Sequence, residues 1–525
     1  MIRGSASAET QAKIGPELLD RAFMGIARNF DPVHGGFGTA PKFPQGMALS
    51  FLLRHHHRTG SPEALNMVEK TLESMARGGI YDQIGGGFHR YSTDEQWLVP
   101  HFEKMLYDNA VLSLVYVEAF QVTGKAEYKE TAREILDYVL RDMTDPEGGF
   151  YSAEDADSEG EEGAFYVWMP EQVESILGPG NAKIFNLFYG VTRDGNFEGG
   201  RSILHQWIEP EAFAMEQDIP LNELNEILSQ GRRLLMEARS QRVRPHRDDK
   251  VLTAWNGMMI GSMAYAAQVL DDRRYAEAAE KAARFVVRRL LTEQGLLRCY
   301  RDGEAGIPAY LDDYAFFVQG LIELYQATFN PEWIRRAFEL NRAMMEHFYD
   351  SEQGGFFFTR DGDPALLARS KEFHDGAKPS GNAVAMLNLL RLFEFTGEAP
   401  LKEAAIKTLQ RISGSMADSP NAYAQSLAAL DFLVSDPMEI AVTGTRDESA
   451  TQSMVRAVRE PFAPNKVVAF APEGQTGLED GIPFLAGKVP LAGKPAAYIC
   501  RNYTCKKPLT DSKEVKRILS RSGGK

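Results

Sequence analysis

The stretch WLVPHFEKMLYDNA at residues 97–110 concentrates ionisable side chains within a few positions. Pro100 suits the first position of a helix, because its missing N–H group costs no hydrogen bond there. We therefore predict a helix that begins at Pro100 and continues into the apolar run VLSLVYVEAF. At about 100° per residue, the two stripes of that helix are His101, Lys104 and Asp108, and Glu103 with Tyr107. A polar end on an otherwise apolar helix indicates the rim of a pocket.

Several other segments place comparable side chains before or at predicted helix starts. The segments are GGGFHRY (85–91), YSAEDADSEGEEGAFYVW (151–168), RPHRDDKVLTAWNG (244–257), YLDDYAFF (310–317) and EFHDGAKPSGNAV (372–384). The side chains that they contribute are His89, Arg90, Asp155, Asp157, His246, Asp249, Lys250, Trp255, Asn256, Asp312, Asp313, Tyr314, His374, Asp375, Ser380 and Asn382.

These residue types favour sugar chemistry. Paired carboxylates can act as acid and as base or nucleophile, histidines titrate near neutral pH and can remove a proton beside a carbonyl, and Trp255 can stack on the apolar face of a sugar. The alternative for any single acid is helix capping, which we expect for one of Asp312 and Asp313. For Asp155 and Asp157 a solvated or metal-binding loop competes.

We expect no metal site and no cofactor. The consecutive histidines of RHHHRTG (54–60) point in different directions on a helix, DADSEGEE (155–162) lacks the ordered ligands of a calcium loop, and GGIYDQIGGGFHRY (78–91) lacks the context of a phosphate loop. Four residues separate Cys500 from Cys505, which is not a CxxC motif, so we expect structural thiols at a strand end.

The helices that must position these residues are of two kinds. Glycine-rich turns such as DPVHGGFG (31–38), DPEGGFYS (145–152) and DSEQGGFFFT (350–359) precede helices that are apolar nearly all round. Turns such as VTGKAEYK (122–129) precede amphipathic helices. A helix that is apolar all round is buried on every side, and an amphipathic one covers it. The alternation predicts an inner ring of helices inside an outer ring.

We count five clear helical hairpins and place a sixth, with an insertion, in residues 170–240, which predicts a mainly α (α/α)6 toroid. An open α-solenoid is the alternative. After Val434 the segments MEIAVTG, NKVVAFAP and AAYIC predict short strands with parallel pairing in a small α/β appendix. The predicted organisation is a tail at 1–15, a barrel at 16–435 and a C-terminal domain at 436–525.

The composition excludes several classes of protein. The chain has 525 residues and a formal charge of −15, which argues against a nucleic-acid partner because phosphate contacts require clustered cations. Three cysteines fit a reducing compartment, the N-terminus lacks the apolar stretch of a secretory signal, and no run is long enough to span a membrane. We therefore expect a cytoplasmic protein without membrane contacts.

The motifs PKFP, GGIYDQIGGGFHRYSTDEQWLVPHFEKMLYDNA, FYSAEDADSEGEEGAFYVW, RDDKVLTAWNG and HDGAKPSGNA closely resemble the thioredoxin-domain-containing family that includes the spermatogenesis-associated homologue. The resemblance covers roughly residues 16 to 510. It implies an (α/α)6 toroid like that of N-acylglucosamine 2-epimerases and a place in carbohydrate metabolism. Members usually carry an N-terminal thioredoxin-like domain, and this chain starts where that domain would end, so a thioredoxin-like domain or protein is an expected partner.

Toroidal sugar 2-epimerases use two histidines on opposite inner helices, and the resemblance makes His101 and His374 the best candidates here. With the acids, the predicted catalytic residues are His101, His374, Asp108, Asp155 and Asp313. The predicted substrate-binding residues are His89, Arg90, Glu103, Asp157, Asp249, Lys250, Trp255, Asn256, Asp312, Tyr314, Asp375, Ser380 and Asn382. Three functions compete: a sugar isomerase or epimerase, a glycoside hydrolase with paired carboxylates, and a toroid that binds a carbohydrate or a protein partner without catalysis.

Overall fold

A computed structural model describes residues 12–362, 368–474, 477 and 481–520. Its helices are α1 (Pro16–Ala27), α2 (Gly46–Thr59), α3 (Pro62–Arg77), α4 (Leu106–Thr123), α5 (Ala126–Asp142), α6 (Pro170–Tyr189), α7 (Pro210–Glu216), α8 (Leu221–Arg239), α9 (Thr253–Leu270), α10 (Arg273–Arg289), α11 (Leu311–Thr328), α12 (Pro331–Phe348), α13 (Gly381–Thr396), α14 (Ala399–Asp418), α15 (Ala424–Val434), α16 (Ser449–Arg459) and α17 (Ser512–Ser520).

Most strands are short. They are β1 (Tyr91–Ser92), β2 (Pro100–His101), β3 (Lys104–Met105), β4 (Ala153–Glu154), β5 (Asp157–Ser158), β6 (Glu161–Glu162), β7 (Arg247–Asp248), β8 (Val251–Leu252), β9 (Leu291–Thr292), β10 (Gly295–Arg301), β11 (Glu304–Pro308), β12 (Met438–Gly444), β13 (Lys466–Pro472), β14 (Ala496–Arg501) and β15 (Thr504–Cys505).

Six helices close into an inner ring, in the order α2, α4, α9, α11, α13, α15 and back to α2, each packed against the next. These helices bury side chains on all sides, as α4 does along most of its length. Around them lie α1, α3, α5, α10, α12 and α14, which bury one face only, as α10 does with Tyr275, Ala279 and Val286. The predicted (α/α)6 toroid is confirmed, because a solenoid would leave the ring open.

The predicted place of the sixth hairpin is wrong. Helices α6 and α8 pack on each other around an apolar cluster of their own, while α4 contacts α9 directly. Residues 170–240 therefore form an insertion outside the ring. The ring is closed instead by the two ends of the barrel segment, since α1 packs against α2, α14 and α15, and α15 packs against α2. Sequence periodicity could not reveal this closure, because it joins residues about 400 positions apart.

Four turns between an outer and an inner helix share one construction. The aspartate that opens each turn donates its backbone N–H to a glycine carbonyl further along, as Asp82 does to Gly87, and accepts turn N–H groups with its carboxylate. The four aspartates are Asp31, Asp82, Asp145 and Asp350. Gly87 has φ +79°, and a β-carbon there would lie 2.5 Å from the Tyr138 ring, so the turn requires glycine.

The C-terminal segment forms a four-stranded sheet in the order β13–β12–β14–β15, with α16 and α17 packed together. Strand β12 is parallel to β13 and antiparallel to β14, so parallel pairing is confirmed for one neighbour and wrong for the other. Cys500 and Cys505 face each other across β14 and β15 and form a disulfide, which corrects the expectation of thiols. This domain contacts α9, α11 and α13 of the ring.

Candidate active site

The N-terminal ends of the inner helices meet at one end of the barrel, which we call the mouth. Side chains and backbone groups from successive helix starts contact one another around it. These contacts are Tyr107 with Trp255 (4.9 Å between ring centroids), Ala254 N with Asp313 Oδ1 (3.1 Å), Lys378 with Asp312 (an ion pair), Gln425 N with Asp375 Oδ2 (2.8 Å) and Asn421 Nδ2 with Gln45 Oε1 (3.2 Å). The predicted convergence of helix starts is therefore present.

The prediction of a helix that begins at Pro100 is wrong. Residues 100–105 form the short strands β2 and β3, which pair with β1 and β4, and helix α4 begins only at Leu106. Cross-strand hydrogen bonds replace the helical ones here, and no residue between Pro100 and Met105 is helical. The stripe of His101, Lys104 and Asp108 does not exist: Lys104 points into the core, where its Nζ lies 2.8 Å from Asp82.

His101 lies on β2 between two carboxylates. Its Nδ1 atom is 2.7 Å from Glu162 Oε1, and its Nε2 atom is 3.6 Å from Glu103 Oε2. The same Glu103 oxygen accepts a hydrogen bond from Arg90 Nη1 at 2.9 Å. The imidazole ring stacks on Tyr91. Because an ionised carboxylate only accepts, Glu162 fixes the proton of a neutral ring on Nδ1 and leaves the lone pair on Nε2.

Asp108 lies in the first turn of α4, only 6% exposed, beside the Tyr107–Trp255 contact. Its Oδ2 atom has no hydrogen-bond partner in the described part of the chain. Burial raises the pKa of this carboxyl group well above its usual value, although the nearby Arg90 guanidinium opposes the shift. A buried carboxyl group of this kind retains its proton and can donate it to a bound ligand.

Asp312 and Asp313 have different roles at the start of α11. Asp313 is fully buried and accepts from Tyr310 N at 2.9 Å and from Ala254 N at 3.1 Å, so it caps α11 and ties it to α9. Burial raises the pKa of Asp313 to about 7. Asp312 forms an ion pair with Lys378 at the mouth. The hydroxyl group of Tyr314 accepts from Leu296 N, so this residue supports a turn and does not line the mouth.

The segment before α13 contributes one histidine to the mouth. His374 is exposed, and its Nε2 atom lies 3.0 Å from Tyr423 Oη. Asp375 accepts from Ser380 N and Gln425 N, and burial raises its pKa to about 7. Ser380 caps α13 by accepting from Ala383 N. In the order of the ring, α13 lies opposite α4, so His374 and His101 precede opposite inner helices.

Asn256 and Asn382 are structural clamps. The Asn256 side chain accepts from Phe150 N and donates to Phe150 O and Leu252 O. Asn382 holds the two backbone groups of Phe356 in the same way, and Asn109 does so for Phe88. Each amide ties a glycine-rich turn to its inner helix and is fully used. Neither Asn256 nor Asn382 is therefore available to a substrate.

His89 is 1% exposed, with its Nδ1 atom 2.8 Å from Phe102 O, and burial lowers its pKa to about 3. It lies in the core and does not point into the mouth. The sequence prediction also missed the buried group next to it, in which Asp82 accepts two hydrogen bonds from Arg239 and one from Lys104. This group attaches the α6–α8 insertion to the barrel.

The remaining predicted residues lie on strand β5 and in the loops beside β4 and β7. Asp155 and Asp157 are exposed, and the Asp155 carboxylate accepts only from Ala156 N in the described part of the chain. Asp249 forms an ion pair with Arg301, and Lys250 forms one with Asp248. Asp155 therefore has none of the burial that marks Asp108. The sequence prediction missed Glu162, whose acidic loop gives no sign of a partner 61 residues away.

Among residues 12–362, 368–474, 477 and 481–520, no cluster of three or more His, Cys, Asp or Glu side chains could hold a metal ion. Within those same ranges no helix is long and apolar enough to cross a membrane.

The comparisons with known proteins identify relatives along nearly the whole chain. No family model matches it. Spermatogenesis-associated protein 20 of Homo sapiens is 36% identical over 540 residues, which cover 95% of this chain and 69% of that protein. The protein of the same name in Mus musculus is 34% identical, with 96% and 69% covered. An uncharacterized Caenorhabditis elegans protein is 30% identical, with 96% and 74% covered.

Among solved structures, a family 76 glycoside hydrolase from a bovine Bacteroides thetaiotaomicron strain has a TM-score of 0.49 at 10% identity, covering 79% of this chain and 76% of that one. Cellobiose 2-epimerase from Spirochaeta thermophila has a TM-score of 0.32 at 18% identity, with 76% and 96% covered. The fold assignment rests on the closed helix ring. The thioredoxin-like partner stays a prediction. By the identity and coverage of its relatives, the chain belongs to the spermatogenesis-associated protein 20 family.

Proposed function

We propose that this protein is a carbohydrate-active enzyme that transfers a proton at the carbon beside a sugar carbonyl, as sugar isomerases and 2-epimerases do. The observation that carries the proposal is the Glu162–His101 pair beside Arg90 and Glu103 at the mouth. Glu162 orients the imidazole ring, and Nε2, which faces Glu103 Oε2 at 3.6 Å, is the base when the ring is neutral.

In this reaction His101 Nε2 takes the C2 proton of an open-chain sugar, and the C–H electron pair becomes the C1=C2 bond of an enediol. The Arg90 guanidinium stabilises the negative charge that develops on the carbonyl oxygen, and the protonated Asp108 carboxyl group donates a proton to it. The enediol hydroxyl group that becomes the new carbonyl then returns its proton to the Asp108 carboxylate. Return of the carbon-bound proton to C1 from the same base, with loss of the O2 proton and formation of the C2=O bond, gives the isomer. Return to C2 from the other face requires a second acid, and His374, before the opposite inner helix, is our candidate.

The test is incorporation of solvent deuterium into a panel of aldoses and ketoses. We expect exchange at C1 or C2 with the wild-type protein and loss of exchange with His101→Gln. The matched control is His347→Gln, because His347 also faces a carboxylate, Asp361 at 3.2 Å, but lies at the end of the outer helix α12. No exchange across a broad panel, or equal loss in both variants, contradicts the proposal.

A glycoside hydrolase is the second candidate, and the state of Asp108 favours it specifically. A buried carboxyl group that retains its proton is the usual general acid of such enzymes, and Asp312 supplies a second carboxylate at the mouth. Asp108→Asn and Asp312→Asn should then both abolish cleavage of oligosaccharides. Hydrolysis consumes water and leaves C2 protons unexchanged, so the two assays separate the candidates.

A further inference from the structure

At the opposite end of the barrel from the mouth, the C-terminal domain encloses a cavity of about 100 Å³, which we call the floor chamber. It is lined by side chains of all six inner helices and by residues 459–468 of the C-terminal domain. The charged residues that line it are Arg54, Glu118, Glu323, Arg391, Arg459 and Lys466. Four of these six are cationic, although acids outnumber Lys and Arg by 73 to 58 in the whole chain.

The positive charges in the floor chamber are only partly compensated. Arg391 Nη1 pairs with Glu323 Oε1 at 2.7 Å, and Arg54 reaches Asp431 at 3.8 Å. Arg459 and Lys466 have no ion pair within the described ranges. Arg459 donates to the carbonyl groups of Gln326 and Ala327, and Lys466 donates to that of Val458 at 2.6 Å.

The pKa values of Lys466 and Arg459 are both lowered. Burial lowers the pKa of Lys466 to about 7 and that of Arg459 to about 9. Burial disfavours the charged forms of both side chains, and an anion placed next to them would favour those forms.

The floor chamber also contains polar atoms without partners. Glu118 is 5% exposed, and its Oε2 atom has no hydrogen-bond partner in the described structure. Burial raises the pKa of Glu118, which favours the protonated form of the carboxyl group, although Arg54 and a hydrogen bond with Ser50 oppose the shift. The Nε atoms of Arg54 and Arg459 are likewise buried and unpaired. Arg54, Arg459 and Glu118 all line the cavity, and unsatisfied buried N–H groups such as the two Nε atoms call for an acceptor.

We propose that the floor chamber is a binding site for a small oxyanion, a phosphate or carboxylate group, held by Lys466, Arg459 and Arg54 with Glu118 as a neutral donor. A cavity of about 100 Å³ is several times the space that one water molecule requires, which admits a group of this size. The four residues of this site are not among those proposed for the proton transfer at the mouth.

In the experiment, the full chain is titrated with inorganic phosphate and, separately, with acetate. Calorimetry measures binding directly, and the melting temperature of the protein is measured at each anion concentration. We expect saturable binding of at least one of the two, which also identifies the preferred anion. Lys466→Met should weaken that binding at least tenfold. The matched control is Lys516→Met, since Lys516 lies in the same domain on the exposed side of α17 and pairs with Glu460.

Lys466→Met should not unfold the protein, because it removes a buried ammonium group that forms no ion pair within the described ranges. Its melting temperature without anion should equal or exceed that of the wild type. Absence of saturable binding of both anions by the wild-type chain overturns the proposal, whether or not the variant folds. Equal binding by Lys466→Met and the wild type also overturns it. Because no sugar enters the titration, its result is independent of the proposed activity at the mouth.

Discussion

The first turns of α4 and α11 place the same residue in the same position with opposite consequences. Asp108 and Asp313 are each the third residue of an inner helix, and both are buried. Asp313 accepts two backbone N–H groups and ties its helix to the next one. Asp108 retains an oxygen without a partner and lies beside Arg90 and Glu103. Position on a helix therefore does not assign a role; the partners do.

The largest effect that we expect from this comparison is on turnover when Asp108 is replaced. Asp108→Asn removes the proton donor but keeps the size of the side chain, so we expect turnover, measured by deuterium exchange or by hydrolysis, to fall by roughly 10²- to 10⁴-fold. The melting temperature should not fall, because no hydrogen bond to Oδ2 is lost. Unchanged turnover would make Asp108 a structural residue like Asp313.

Glu162, on β6, extends the comparison to its partner His101, which precedes α4. Glu162→Gln keeps a side-chain oxygen near His101 Nδ1 but removes the negative charge that fixes the ring, so exchange should slow by roughly 10- to 100-fold. Glu161→Gln is the control, because the neighbouring Glu161 pairs with Arg201 and not with the histidine. If both variants slow exchange equally, the loop acts through its shape and not through the imidazole.

Asp313→Ala tests the structural half of the comparison. The change leaves the buried N–H groups of Ala254 and Tyr310 without acceptors, so the free energy of unfolding should fall by about 1–3 kcal/mol. Chemical denaturation measures it, and Asp108→Ala should cost less. Equal losses would mean that the two aspartates have the same structural role.

The smallest effect is a dependence on pH. The folded pKa of Asp313 is about 7, above the usual 3.8, so its stabilising contribution is complete below about pH 4 and declines as the pH rises to about 7. Between those pH values, the free energy of unfolding of the wild type should fall relative to that of Asp313→Asn, by less than about 1.4 kcal/mol per pH unit. Parallel denaturation midpoints for the two proteins across this range would contradict the raised pKa.

The local pattern of apolar residues was sufficient to predict the inner and outer helices. Apolar residues occupy every side of α4, which other elements surround, but only one face of α10, which is covered on one side. This distribution can be read from consecutive residues of the sequence. Local pattern failed at residues 100–105, because the competing hydrogen bonds come from β1 and β4, the latter some 50 residues away. It failed for His89 and Asn256 because burial and clamping depend on distant backbone groups.

The sequence by itself determined the alternation of helix types and the collection of polar residues before inner helices, since both depend on spacing along the chain. Only the tertiary structure decided which acid is a cap and which has a free oxygen, that Glu162 orients His101, and that the C-terminal domain closes a cationic chamber. Those outcomes depend on which hydrogen-bond partners and charges lie within a few ångströms, and residues far apart in the chain supply them.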